Sequence, residues 1–154
     1  MVDASGSGSS VIVDSLLVDN LVQGARGGGG ACMTEDDHSL RLDSCVVSRN
    51  AAREGGALWL TGQSRVTVSR CVVSDSRGAS FAGAVAASGS VSLTMVESRV
   101  EGSVAPRVPS VLAYSEDISA VYVFRGNVFT DRSVLNLWHH THSIRTVSGT
   151  GRRC

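Results

Sequence analysis

Three groups of side chains have the types and spacing to do chemistry. Asp19, Asp75, Glu101 and Asp131 fall at or next to one recurring position, and each long loop carries an arginine: Arg26, Arg53, Arg77, Arg107 and Arg132. Carboxylates paired across a groove, or holding a cation beside a basic group, are what cleavage of a sugar chain needs. Asp75 and Glu101 are therefore the catalytic candidates. The plain alternative is solvated loop charges that pair with one another, and the lack of a DxxD or DD cluster on that edge favours it. The second group is Trp138-His139-His140-Thr141-His142. In a strand running into a corner, His140 and His142 point to one side and could begin a metal site. Glu116 and Asp117 occupy the equivalent corner one coil earlier, but no third ligand stands out, so a polar corner is the simpler expectation. The third group is the glycine run from Gly24 to Gly30 with Arg26 inside it, a candidate phosphate cradle. It lacks the Lys-Ser/Thr of a P-loop and opens no helix, so it reads as a corner. No cofactor is expected.

A repeating unit must position these residues. It is plainest from Ser39 to Gly62, SLRLDSCVVSRNAAREGGALWLTG. Leu40 and Leu42, Cys45 and Val47, and Leu58 and Leu60 each keep the strand period of two. Asp43-Ser44 and Gly55-Gly56 mark corners. Three such strands bury one face each and need coils above and below to close a core. The unit recurs. Val18, Val47, Val73, Val100 and Phe129 form one apolar column. Upstream of it run Val13, Leu42, Val68, Met95, Phe124 and Val11, Leu40, Val66, Leu93, Tyr122. Downstream run Cys32, Leu58, Val85, Leu112, Leu135 and Thr34, Leu60, Ala87, Tyr114, Leu137. The expected fold is an all-β parallel solenoid of about five coils with three short strands per coil. An antiparallel sandwich is the alternative, but the strands recur as triplets. Residues 1–10 read as a flexible Gly/Ser-rich lead-in and residues 11–154 as one solenoid domain.

With Leu58 and Leu60 inward, Ala57 and Trp59 are expected to point outward. The Trp59 column continues through Met33, Ala86, Ala113 and Asn136, and the Ala57 column through Ala31, Ala84 and Val111. A flat face of small apolar residues around one Trp marks a contact surface, unless a loop or tail of the same chain covers it. The binding candidates are Trp59, Met33, Ala57 and Ala86, with Arg53, Arg77 and Arg107 on neighbouring loops.

Composition narrows the classes. The chain of 154 residues has one-domain length. Aromatics are 5% against 42% hydrophobic residues overall, with 17 Gly and 2 Pro. That balance suits a narrow interior of stacked Val, Leu and Ala with many tight corners. The 14 basic residues, all arginine, are matched by 14 acidic ones, which argues against general nucleic-acid binding. No run reaches transmembrane length. No signal-peptide pattern follows Met1, so the expectation is an intracellular protein, a mature form or an excised fragment. Cys45 and Cys71 hold one position in successive coils. A disulfide between them is geometrically constrained, so two buried thiols are preferred. Cys32 reads as core and Cys154 as terminal.

Asn50-Ala51 followed by Gly55-Gly56-Ala57-Leu58 resembles the GGA-[ILV] and FxxN repeat signature of polymorphic outer membrane proteins. More broadly it resembles the pectin-lyase-like right-handed parallel β-helix, with Phe81-Ala82-Gly83-Ala84-Val85 as a partial echo. Val47 stands where the signature has Phe, Arg132 stands where an Asn would follow Phe129, and one repeat alone has the full double glycine. The resemblance implies a right-handed coil in an extracellular or cell-surface protein that is adhesive or acts on polysaccharides. Two functions follow as expectations. One is a non-catalytic β-helix scaffold or adhesion module, docking on a protein partner or larger assembly through the Trp59 face and the open ends. The other is a polysaccharide lyase, glycoside hydrolase or carbohydrate binder using the Asp/Arg edge.

Overall fold

Short alternating runs bounded by corner residues become strands, and runs of equivalent position pair in parallel from coil to coil. The computed structural model describes residues 1–23, 28–108, 110–115, 120–130, 135–139 and 144–148, with residue 115 and the last two stretches described as backbone only. A first sheet stacks β1 (Val2–Ala4), β4 (Cys32–Thr34), β8 (Leu58–Leu60), β12 (Val85–Ser88), β15 (Val111–Ser115) and β18 (Leu135–His139) in that order. A second stacks β2 (Gly8–Val13), β5 (His38–Asp43), β9 (Arg65–Ser69), β13 (Ser92–Val96), β16 (Val121–Arg125) and β19 (Ile144–Ser148). A third stacks β3 (Leu16–Val18), β6 (Val46–Ser48), β10 (Val72–Ser74), β14 (Arg99–Glu101) and β17 (Val128–Phe129), beside a short pair of β7 (Ala51–Ala52) and β11 (Arg77–Gly78). The result is an all-β parallel solenoid with three strands per coil. Among the described residues there is no helix, and none long and apolar enough to cross a membrane.

The corners between the second and third sheets turn on single residues in the left-handed region. Asp14, Ser44, Arg70, Glu97 and Gly126 occupy this position in successive coils, with φ of 48, 54, 51, 49 and 61°. Asp19, Arg49, Asp75 and Gly102 repeat the device after the third sheet, with φ of 56, 54, 51 and 59°. A non-glycine residue held there costs about 1–2 kcal/mol, so the corner needs compensation. The residue that follows supplies it. At the first corner it is Ser15, Cys45, Cys71, Ser98 or Asn127; at the second it is Asn20, Asn50, Ser76 or Ser103. Six of these side chains, those of Cys71, Ser98, Asn127, Asn50, Ser76 and Ser103, accept a backbone N–H of the preceding coil. Cys45 donates to Cys71 Sγ at 3.4 Å, Cys71 to Ser98 Oγ at 3.2 Å, and Ser98 to Asn127 Oδ1 at 2.9 Å. Asn20, Asn50 and Ser76 donate in the same way to Asn50 Oδ1, Ser76 Oγ and Ser103 Oγ at 3.0, 3.4 and 3.3 Å. The Ser and Cys side chains donate back to the carbonyl two residues earlier, as Cys71 does to Ser69 and Ser76 to Ser74, while Asn50 and Asn127 donate to the Leu17 and Met95 carbonyls of the preceding coil. Buried backbone groups at the turns are thereby satisfied.

The interior is a column of small and branched side chains. Leu40, Leu42, Val47, Leu58, Leu60, Val66, Val68 and Val73 are all buried, and Phe124 meets Phe129 edge-on at 6.3 Å in the last coil whose side chains are described. The register differs from the sequence expectation at two runs. In the first coil Ile12 and Leu17, not Val13 and Val18, stack on Leu42 and Val47, and Ser10, not Val11, stacks on Leu40. Val11 and Val13 therefore face outward, at 64% and 47% exposure. In the fourth coil Val111 and Ala113, not Leu112 and Tyr114, continue the Val85 and Ala87 columns. Both runs, Val11-Ile12-Val13 and Val111-Leu112-Ala113-Tyr114, are apolar at every residue, so alternation gives them no phase. A one-residue slip exchanges the two faces, and in the fourth coil the narrow interior takes the smaller pair. The segment read as a lead-in is also part of the coil, since β1 pairs with β4 and β2 begins at Gly8.

Two details of the interior are testable. The double glycine permits two close approaches: a Cβ at Gly56 would overlap the Gly83 carbonyl oxygen of the next coil, and one at Gly55 the Leu58 carbonyl oxygen of its own coil. Gly56→Ala should cost about 1–3 kcal/mol, read as a lower urea midpoint, while Ser39→Ala on the exposed face should stay within about 0.5 kcal/mol. Cys32, Cys45 and Cys71 are free and buried. Burial pushes the Cys32 thiol up to about 12 and the Cys71 thiol up to about 11. Both stay protonated and inert in the folded chain, whereas unfolded thiols ionise near about pH 8.5. Stability contributed by these thiols is thus present below that pH and falls as pH rises above it. Iodoacetamide should leave both unlabelled in the native protein and label both in urea, as peptide mass mapping would show.

Candidate functional site

On the first sheet one residue per coil lies between two inward-facing residues and forms an outer column. Lateral pairing sets this column as Met33, Trp59, Ala86, Leu112 and Asn136. Leu112 thus takes the place expected for Ala113, which lies inside at 0% exposure. Trp59, Ala86 and Leu112 form the floor of a groove of about 620 Å³, and Tyr114 extends it one step along the strand. Its wall comes from the loops before the strands. The bridges Gly55 to Ala82 and Ala82 to Val108 fix their register. Glu54, Phe81 and Arg107, each one residue earlier, therefore stack as a column on three successive coils and line the groove. The Arg107 guanidinium lies 4.8 Å from the Phe81 ring centroid, a cation–π contact that orients the side chain along the wall. Close coil packing at Gly55-Gly56 brings the wall against the floor.

Of the binding candidates, Trp59, Ala86 and Arg107 come together here. Met33 is half-buried and pairs with Trp59 one coil away. Ala57 does not point outward. It is fully buried, as are Ala31 and Ala84 in the same column. The backbone is not extended there, since the N–H groups of Ala57 and Leu58 both donate to the Ala84 carbonyl, each at 2.9 Å, which breaks the alternation and turns both side chains inward. The fourth-coil residue of that column is Ser110 rather than Val111. Arg53 and Arg77 are exposed, and both lie outside the groove lining. The sequence reading missed Glu54, Phe81, Leu112 and Tyr114. The available signal was the equal spacing of Glu54, Phe81 and Arg107 ahead of the Gly55, Ala82 and Val108 corners.

The catalytic candidates sit elsewhere, where the third sheet ends. The Asp75 N–H donates to the Glu101 carbonyl at 3.1 Å, so the two are neighbours in successive coils. Glu101 is engaged by Arg99 Nε at 2.7 Å and by the Thr130 hydroxyl at 3.2 Å. On the same edge Arg49 grips Asp19 with two bonds of 2.8 and 2.7 Å. Its hydrogen bonds and charge hold the Asp19 carboxyl below the usual range. His140, His142, Glu116, Asp117, Asp131, Arg132, Arg26 and Cys154 lie outside the described residues. Among the described residues no three His, Cys, Asp or Glu side chains converge to hold a metal.

The chain matches no family model, no curated protein and no solved structure.

A second electrostatic feature belongs to stability rather than to the groove. Asp43, on the second sheet, is buried and receives Arg41 at 2.9 Å, Arg70 at 2.6 Å and the Ser69 hydroxyl at 3.0 Å. Burial raises its pKa, but the hydrogen bonds from Arg41 and Ser69 and the charges of Arg70 and Arg41 outweigh burial and hold the carboxyl low. Stability from a depressed carboxyl is present above the unfolded value of about 3.9 and is lost as pH falls through it. Acid should therefore lower the melting temperature of the native chain between about pH 5 and pH 2, and Asp43→Asn should flatten that slope while lowering stability at neutral pH.

Proposed function

We propose that this chain is a non-catalytic β-solenoid interaction module that takes a partner in the groove between the Trp59 floor and the Glu54–Phe81–Arg107 wall. One observation carries this: the groove is a concave, mainly apolar and aromatic surface on rigid strands, with few charged groups set at defined places, which is the anatomy of a binding site. Hydrolysis or elimination on a sugar needs at least two cooperating groups at the scissile bond. Among the described lining residues Glu54 is the one carboxylate. The carboxylates of Asp19 and Glu101, on the Asp/Arg edge, are committed to ion pairs.

The reading includes a right-handed coil of the pectin-lyase-like kind at a cell surface or outside the cell. Its support is the resemblance of Asn50-Ala51 and Gly55-Gly56-Ala57-Leu58, in which the glycines meet a real packing need. A carbohydrate binder is the second reading. It is favoured by the exposed Arg53, Arg77 and Arg107 on successive loops and by rings that can stack on sugar faces.

Peptide and glycan arrays probed with the purified chain separate these readings. Members of the peptide array should bind, and Trp59→Arg should weaken them at least about tenfold with an unchanged circular dichroism spectrum and melting temperature. Binding confined to the glycan array would support the second reading. Release of reducing ends or unsaturated sugars from a polyuronate would sink the non-catalytic assignment.

A further inference from the structure

The groove wall changes sign along its length. Glu54, Phe81 and Arg107 occupy one column in three successive coils, an acid, then an aromatic ring, then a base seated on that ring at 4.8 Å. Successive coils are spaced by about 4.8 Å, so the two charged residues leave the backbone about 10 Å apart along the solenoid axis, and the Arg107 guanidinium lies over the Phe81 ring between them. Between and beneath them lie Trp59, Ala86 and Leu112, paired across the same three coils. A ligand in this groove therefore meets a negative charge from one coil, a positive charge from another and an apolar floor. We infer that the occupant is a short peptide segment with one basic and one acidic side chain and apolar side chains between them, lying along the solenoid axis; this rests on the groove being the binding site.

The basic side chain meets Glu54 and the acidic one meets Arg107, while the apolar pair rests on Trp59 and on Leu112 across the small Ala86. A polyuronate carries one sign of charge at every unit and would leave Glu54 opposed by a like charge. A neutral glycan would leave the two wall charges unmatched. Charge complementarity thus favours a peptide of mixed sign over either sugar.

The test uses the whole chain and capped synthetic peptides with a core of charged–Leu–Leu–charged residues, measured by calorimetry or fluorescence anisotropy. Mixed-charge cores should bind wild type about three- to tenfold more tightly than doubly acidic or doubly basic cores, the range expected of partly exposed charge pairs. Glu54→Arg, which makes both wall charges positive, should move the preference to the doubly acidic core. Arg107→Glu should move it to the doubly basic core. Circular dichroism and melting curves check that both variants keep the fold. Indifference of wild type to core charge, or preferences that fail to follow the two reversals, overturns the inference even if Trp59→Arg still abolishes binding, in which case the groove remains the site. Loss of neither peptide binding nor its charge preference in Trp59→Arg overturns the groove itself. No binding of any core at millimolar concentration, or binding of an oligouronate instead, overturns a peptide occupant.

Discussion

A parallel coil that turns on a single left-handed residue leaves two backbone N–H groups at each corner with no partner in their own turn. One of them reaches the last strand carbonyl of the next coil, as Asp75 does to Glu101. The other reaches a side chain of the next coil, the Ser, Cys or Asn that follows its left-handed residue. An unsatisfied buried donor costs about 1–3 kcal/mol, and a long stack of coils repeats the cost at every turn. The ladder of Ser98, Asn127, Asn50, Ser76 and their neighbours removes it. The sheets, the interior columns and the groove all depend on this repeated exchange, because it holds consecutive coils in register.

Register in turn decides what the surface presents. The interior is narrow, so successive coils place Leu58, Val85 and Val111 inside and give the outer position to Trp59, Ala86 and Leu112. The groove is therefore a by-product of filling the core: large residues that do not fit inside accumulate on one outer face, with Ala86 as the gap between them. The wall over that face exists because Gly55-Gly56 allows the preceding loops to pack tightly. Each coil contacts chiefly its neighbours, as in other solenoids. Binding energy applied across three coils would be shared by the strands and corners that join them.

The charges divide by location. Those on the corner after the third sheet pair with one another, Asp19 with Arg49 and Glu101 with Arg99. Exposed pairs of this kind contribute little to stability. Asp43 is different, because it is buried and held by two arginines and a hydroxyl from its own and the next coil. Glu54 and Arg107 differ again, standing on separate coils along one wall of a groove. Only in the last case does the arrangement present opposite charges to an incoming molecule.

Much of this was present in the order of residues. Alternation in Leu40–Leu42, Val66–Val68 and Leu58–Leu60, and its recurrence in triplets, was enough for an all-β parallel solenoid with three strands per coil, and it placed Trp59 outside. Alternation has no phase where every residue is apolar, so Val11-Ile12-Val13 and Val111-Leu112-Ala113-Tyr114 were assigned the wrong faces. Alternation also fails where the backbone bends, which is why Ala57 lies inside. The corner ladder was visible only as Cys45 over Cys71, since a Ser or Asn after a strand looks like any turn residue until the next coil is laid beside it. Of the groove wall Arg107 alone was singled out, because loops carry no hydrophobic period and the stacking of Glu54, Phe81 and Arg107 is set by bridges between coils. Local pattern determined the strands and their repetition; the tertiary structure decided phase, corner pairing and the site, because each of these depends on the volume and hydrogen-bonding groups of a neighbour distant in the chain.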